Sequence, residues 1–239
     1  MGIIEYLEAE NRLAEESRIC WHQEFDLFCE LSEFYERLLS AVKISDKKTQ
    51  IPAELFLVIM KLMYGVASQI LRGRHSDAWA LTRGAIEAAA IAYRLWEHPE
   101  LIRVYERAYP NIGKTGNHRQ WQPSFAYRQN FSTLKLFDQS GSTWRNLKVF
   151  YDMFSAMATH AGPAVLSYHE ASDDALFLPF LEAGEQDIKK CWYSLMLAYH
   201  EILKVFLQIF KDRWSVHEAD LFGQDLLVWR HKAGVLMEG

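Results

Sequence analysis

From Trp21 onward the chain places apolar residues at steps of three and four. Trp21, Phe25, Phe28, Leu31, Tyr35, Leu38 and Val42 form one stripe over six turns of helix. A polar run, 45–50, ends the stripe, and Pro52 follows where a helix start tolerates proline. The pattern predicts a helix over about 52–72, a short turn at Arg72-Gly73-Arg74-His75, and a helix capped by Ser76 that runs to about Glu97. Pro99 opens a further helix over about 99–109, and a weaker one is predicted over 123–138, broken at Gln139-Ser140-Gly141. A helix over about 143–160 stops at Ala161-Gly162-Pro163. The long helix from Glu185 to about Trp214 carries Ile188, Trp192, Leu195, Tyr199, Ile202, Phe206 and Ile209 on one face, and a last helix spans about 215–233. Residues 110–121 and 163–184 read as loop by composition.

Alternating strand patterns are nearly absent, and no repeat or linker divides the chain. The expected architecture is all-α: one up-down helical bundle of about six to eight helices over 1–239, with a partly irregular 110–142 arm. On a helical wheel the 52–72 helix confines its charge to a narrow stripe of Glu54, Lys61, Ser68 and Arg72, with Gly65 among them. The following helix does the same with Arg83, Glu87 and Arg94. Surface helices show a wider polar face, so these two are expected at the centre of the bundle, their stripes forming a thin ridge or a shared polar seam.

Composition changes this picture little. The 239 residues are half hydrophobic, one quarter charged, and carry a net charge of −5. That disfavours global attraction to nucleic acid or anionic membrane. The charge is uneven: residues 1–42 hold ten acids against three bases, and residues 109–142 hold four bases against one acid. The three cysteines have no metal-ligand spacing and read as buried reduced thiols of a cytoplasmic protein. The N-terminus lacks a signal-peptide pattern, and the apolar stretches 55–71 and 193–210 are interrupted by polar residues, so no membrane association is expected.

Candidate chemistry is sparse. Arg83 and Glu87, four apart, are placed to pair. Retained among apolar walls, they are also where a small ligand would be held. Tyr151 and Ser155 lie along one flank of the 143–160 helix and His160 closes its last turn, completing a candidate ligand-binding set of Arg83, Glu87, Tyr151, Ser155 and His160. The bases and aromatics of the arm, Arg119, Trp121 and Arg128 foremost, suit single-stranded nucleic acid, or else pack onto the bundle or a second subunit. Residues 108–115 fit a relaxed phosphate-loop pattern but follow a helix rather than a strand. No Glu-x-x-His or His-Glu-x-x-His motif and no Gly-x-Ser-x-Gly elbow occurs, so no metal and no cofactor is expected.

The segment SDAWALTRGAIEAAAIAYRLWEHPE, with its Arg83-x-x-x-Glu87 pair, and the Tyr/Ser-rich YDMFSAMATH ending in His160 together resemble a group of uncharacterised bacterial helical-bundle proteins over about 55–162. That group is similar in architecture to the HEPN superfamily, whose nuclease members use Arg-x4–6-His on one helix. Here Arg94 and His98, like Arg213 and His217, are separated by three residues, and His160 lies fifteen beyond Arg145. From the residues themselves, whose Trp and aromatic richness favours an interface, a non-catalytic binding or interaction bundle is expected, homodimeric and taking a small molecule or partner protein. The alternative, which the resemblance implies, is a divergent HEPN-like RNA-binding protein or ribonuclease of a defence or toxin system, with Arg83 or Arg145 and His160 in the leading roles.

Overall fold

A computed structural model describes residues 3–108, 123–158 and 185–238. Among these residues every regular element is helical. They form α1 (Ile3–Cys20), α2 (His22–Ala41), α3 (Lys47–Leu71), α4 (His75–Glu97), α5 (Ile102–Glu106), α6 (Phe125–Asn130), α7 (Thr133–Leu136), α8 (Ser142–Ala158), α9 (Glu185–Phe210) and α10 (Val216–Glu238). Short 3-10 turns at Pro99–Leu101 and Lys211–Arg213 join α4 to α5 and α9 to α10. Seven of these helices are 17 residues or longer and pack as an all-α bundle, as the periodicity predicted.

The α3–α4 hairpin is the centre. α4 lies against α3, α8 and α9, and α9 in turn packs on α2, α3 and α8. The apolar-all-round character of α4 reflects this: Ala78, Ala85, Ile86, Ala89, Ala90, Ala92 and Leu95 are essentially sealed from solvent. Small side chains let the hairpin close tightly. A Cβ added at Gly65 would stand 3.1 Å from the Leu81 side chain. The hairpin turn is a Schellman motif. Gly73 takes the left-handed φ of 70° while its N–H donates to the Ile70 carbonyl, and the Arg74 N–H donates to the Gln69 carbonyl.

The predicted stripe of α9 is its core face, with Trp192, Leu195, Tyr199, Ile202, Phe206 and Ile209 all buried. Trp192 meets Phe25 and Phe28 edge-on at 6.3 and 5.6 Å. Tyr35 is completely buried, stacks on Phe56 at 4.9 Å and donates its hydroxyl to the Tyr199 carbonyl at 2.8 Å. A phenol buried this deeply needs such an acceptor, because an unmade hydrogen bond costs more than a made one contributes.

Several element boundaries differ from the sequence expectation. The helix expected at Pro52 starts at Lys47, because Asp46 caps it: its carboxylate accepts the Thr49 N–H at 2.9 Å, and Pro52 sits inside the helix. Ser76 is not an N-cap; α4 begins one residue earlier and carries no side-chain cap. The 99–109 helix is a 3-10 turn followed by a single short α-helix, and the 123–138 helix is two short pieces, α6 capped by the Ser124 side chain and α7 preceded by Ser132. α9 stops at Phe210, short of Trp214, and α10 runs on to Glu238. α1 is an additional helix ahead of the Trp21 stripe. The thiols are not uniformly buried: Cys191 is, Cys29 is half-buried and Cys20 is exposed. By length and composition α3 could cross a membrane, and here 39% of its most apolar window is buried within the bundle. The 110–121 and 163–184 expectations lie outside the described residues, apart from the edges of the arm.

Candidate functional site

The two polar stripes have separate destinations. On α3, Glu54 and Lys61 are exposed, while Ser68 and Arg72 line a cleft that α3 forms with α1 and α2. On α4 the stripe turns toward α7 and α8. Arg94 donates to the Lys135 carbonyl at 3.3 Å, beside α7. Arg83, three turns earlier, points its guanidinium at the face of Tyr151 on α8, with 5.4 Å from Cζ to the ring centroid. Tyr151 is itself buried and packed on Phe137 at 5.0 Å, so the ring is a fixed platform. Ser155, one turn along α8, is half-buried on the same flank by helical spacing.

The expected Arg83–Glu87 ion pair does not form. Both side chains are half-buried, and neither makes an ion pair or a hydrogen bond among the described residues. The i,i+4 spacing permits the pair, but the cross-helix Tyr151 face captures the guanidinium instead. The Arg83 Nε is sealed from solvent with no acceptor. The structure therefore brings Arg83 and Tyr151 together and leaves Glu87 one helical turn away. His160 lies outside the described residues, as do Arg119 and Trp121.

Arg128, the described member of the proposed nucleic-acid set, is exposed on α6. Its aromatic neighbours are largely committed to packing. Tyr127 stacks on Phe131 at 4.8 Å, both rings approach Tyr105, and Phe131 is buried. Rings used this way offer no free faces for bases, Phe125 being the exposed exception at 73%.

Three polar arrangements escaped the sequence reading. The first fixes α1 to the hairpin: buried Glu10 accepts from Arg74 Nε and from the Tyr6 hydroxyl (2.7 Å), and Arg74 also donates to the Tyr6 oxygen (2.6 Å). The second is internal to α9. Burial pushes the Glu201 carboxyl up, but the His200 imidazole at 3.6 Å and the Lys204 ammonium at 2.9 Å pull it down further, to about 2. His200 stacks on Trp229, whose indole N–H donates to the Leu27 carbonyl at 2.9 Å, so this group stitches α2, α9 and α10. The third is the cleft of about 690 Å³ between α1, α2 and α3, with Phe25, Phe28 and Leu71 in its walls. There Tyr64 donates to Glu36 at 2.6 Å, and Arg72 donates to the Ser68 hydroxyl. Cys29 borders it, but burial and the nearby Asp26 and Glu33 push its thiol up, so it stays protonated and is a poor nucleophile. The one advance signal was the stripe residues Ser68 and Arg72; the acids from α1 and α2 carried none.

Among the described residues no group of three or more His, Cys, Asp or Glu side chains is placed to hold a metal. In comparisons with family models, with curated proteins and with solved structures, nothing matches this chain.

Proposed function

We infer that this chain is a non-catalytic binding bundle that takes a small anionic ligand against Arg83. One observation supports the reading: Arg83 is a half-buried guanidinium resting on the Tyr151 ring, with its Nε sealed and no acceptor among the described residues. Arginine stays charged at any physiological pH and offers five donors in a planar fork. A half-buried guanidinium without an acceptor is poorly solvated, and a carboxylate or phosphate oxygen accepting from its terminal nitrogens, which are not sealed as Nε is, offsets that cost. The Tyr151 face already holds the fork in place, so less rotamer entropy is lost on binding. Glu87, without a partner among the described residues and one turn further along α4, disfavours a dianion at the same place, so a singly charged carboxylate suits the site better than phosphate.

Thermal-shift titration with acetate, benzoate and inorganic phosphate tests this. The expected result is a rise in Tm with a carboxylate that Arg83→Met abolishes and Arg83→Lys fails to restore, because an ammonium lacks the bidentate fork. A ligand at a hundred times its Kd stabilises by about 2.7 kcal/mol, well within reach of the measurement. No response to any anion, or an equal response in Arg83→Met, overturns the reading. Cleavage of RNA by the wild type that Arg83→Met abolishes would instead support the HEPN-like ribonuclease alternative.

A further inference from the structure

A second candidate site lies on the far side of α8, built from different residues. Phe150 and Met153 of α8, the early turns of α9 from Lys189 to Leu197, and Met237 at the end of α10 enclose a groove of about 410 Å³. That volume falls within the usual range for small-molecule sites, about 300–1,000 Å³. Its walls are rings, thioethers and aliphatic carbon. Phe150 is braced by stacking on Phe154 at 5.9 Å, and Tyr193 is held by its hydroxyl, 3.4 Å from the buried Glu24 carboxylate. Two methionines among these walls supply adaptable, polarisable contact rather than one rigid shape.

The charge in the groove is one-sided. Lys189 and Lys190 border it, and among the described residues that line it none is acidic. Lys189 is half-buried and makes no ion pair or hydrogen bond among the described residues, although the chain as a whole carries a net charge of −5. An unpaired ammonium beside apolar walls in an acidic protein calls for an anion with an apolar body. At a rise of about 1.5 Å per residue, Lys189 and Leu197 stand roughly 12 Å apart along α9, which gives the groove a cationic end and an apolar end.

We propose that this groove binds an amphipathic monocarboxylate of medium chain length, a free fatty acid, with its carboxylate at Lys189 and its alkyl chain running along Phe150, Met153 and Leu197. An isolated carboxylate would gain little at a lysine that is only half-buried, and an alkyl chain alone would leave the ammonium without an anion; the two parts together satisfy both ends.

The test is calorimetric titration of the purified full chain with dodecanoate below its aggregation threshold, with dodecanol as the uncharged control. Wild type is expected to bind dodecanoate. The double variant K189Q/K190Q is expected to weaken that binding at least tenfold while leaving dodecanol unaffected, and the groove-filling S194F to weaken both. Circular dichroism and Tm establish that each variant is folded. The proposal is overturned if dodecanoate does not bind, or if wild type and K189Q/K190Q bind it equally. A wild-type dimer that S194F dissolves, with no dodecanoate binding, overturns it in favour of a second copy of the chain in the groove. Arg83→Met removes any carboxylate held at the α4–α8 site, so dodecanoate binding that persists in that variant belongs to the groove. Loss of binding in that variant with K189Q/K190Q intact moves the ligand to the α4–α8 site and overturns the groove, whereas failure of acetate to act at Arg83 leaves it standing.

Discussion

Arg74 and Arg83 sit nine residues apart around the same helix, and each rests on a tyrosine ring, Tyr6 at 5.6 Å and Tyr151 at 5.4 Å. There the likeness ends. Arg74 is saturated: Glu10 and the Tyr6 hydroxyl accept from it, and Asp77 stands 3.9 Å away. Among the described residues Arg83 has its ring and no acceptor. The acid that completes Arg74 arrives from α1, far away in sequence, whereas the acid nearest Arg83 in sequence, Glu87, does not turn to meet it. A guanidinium enclosed by acceptors from its own chain is a fastening. One supplied with a platform but no acceptor is, on the proposed reading, where an external anion would bind.

If that contrast is sound, the fully partnered groups carry stability and the unpartnered one does not. The largest effect is expected at Glu201, whose carboxyl lies at about 2 in the fold against an ordinary value of 4.5. Its stabilisation is fully present above about pH 4.5 and is lost as the pH falls toward 2, an effect of roughly 3 kcal/mol at most. Denaturant midpoints measured between pH 6 and pH 2.5 should therefore fall more steeply for the wild type than for Glu201→Gln; parallel curves would show that the His200 and Lys204 contacts contribute little.

Next comes Glu10→Ala, which strips the buried acceptor from Arg74 and Tyr6 and should cost about 2 kcal/mol. In a chain of this size that is a loss of about 6 °C in Tm. The smallest effect is expected at Arg83→Met, which keeps the stem packed on Tyr151 and removes an unpaired charge. The ring contact it gives up is offset by the donor it no longer buries, so Tm should stay within about 2 °C of wild type. The contrast collapses if Arg83→Met destabilises as much as Glu10→Ala, for then Arg83 is a fastening too.

Much of the bundle was legible in the chain because helix formation leaves a local trace. The three- and four-residue steps from Trp21 to Leu38 and from Trp192 to Ile209 are the faces that pack in the core, and the narrow polar stripes identified α3 and α4 as central. Boundaries were less legible where two signals competed. Pro52 marked a plausible start, but Asp46 offered a side-chain acceptor six residues earlier, and the cap outweighed the proline. Arg83, Tyr151 and Ser155 could be singled out as polar residues kept among apolar ones, yet their partners could not. The lysine-edged groove left no trace at all, since Lys189, Met153 and Met237 come from three separate helices.

Hydrophobic periodicity is a property of neighbours one helical turn apart, so the residues themselves dictated an all-α bundle, its central hairpin and the core face of α9. Which charges are answered and which are left open depends on side chains brought together from distant helices. Glu10 reaches Arg74, and the Tyr151 ring reaches Arg83 before Glu87 does, only because the packing of α1 and α8 against the hairpin sets those distances.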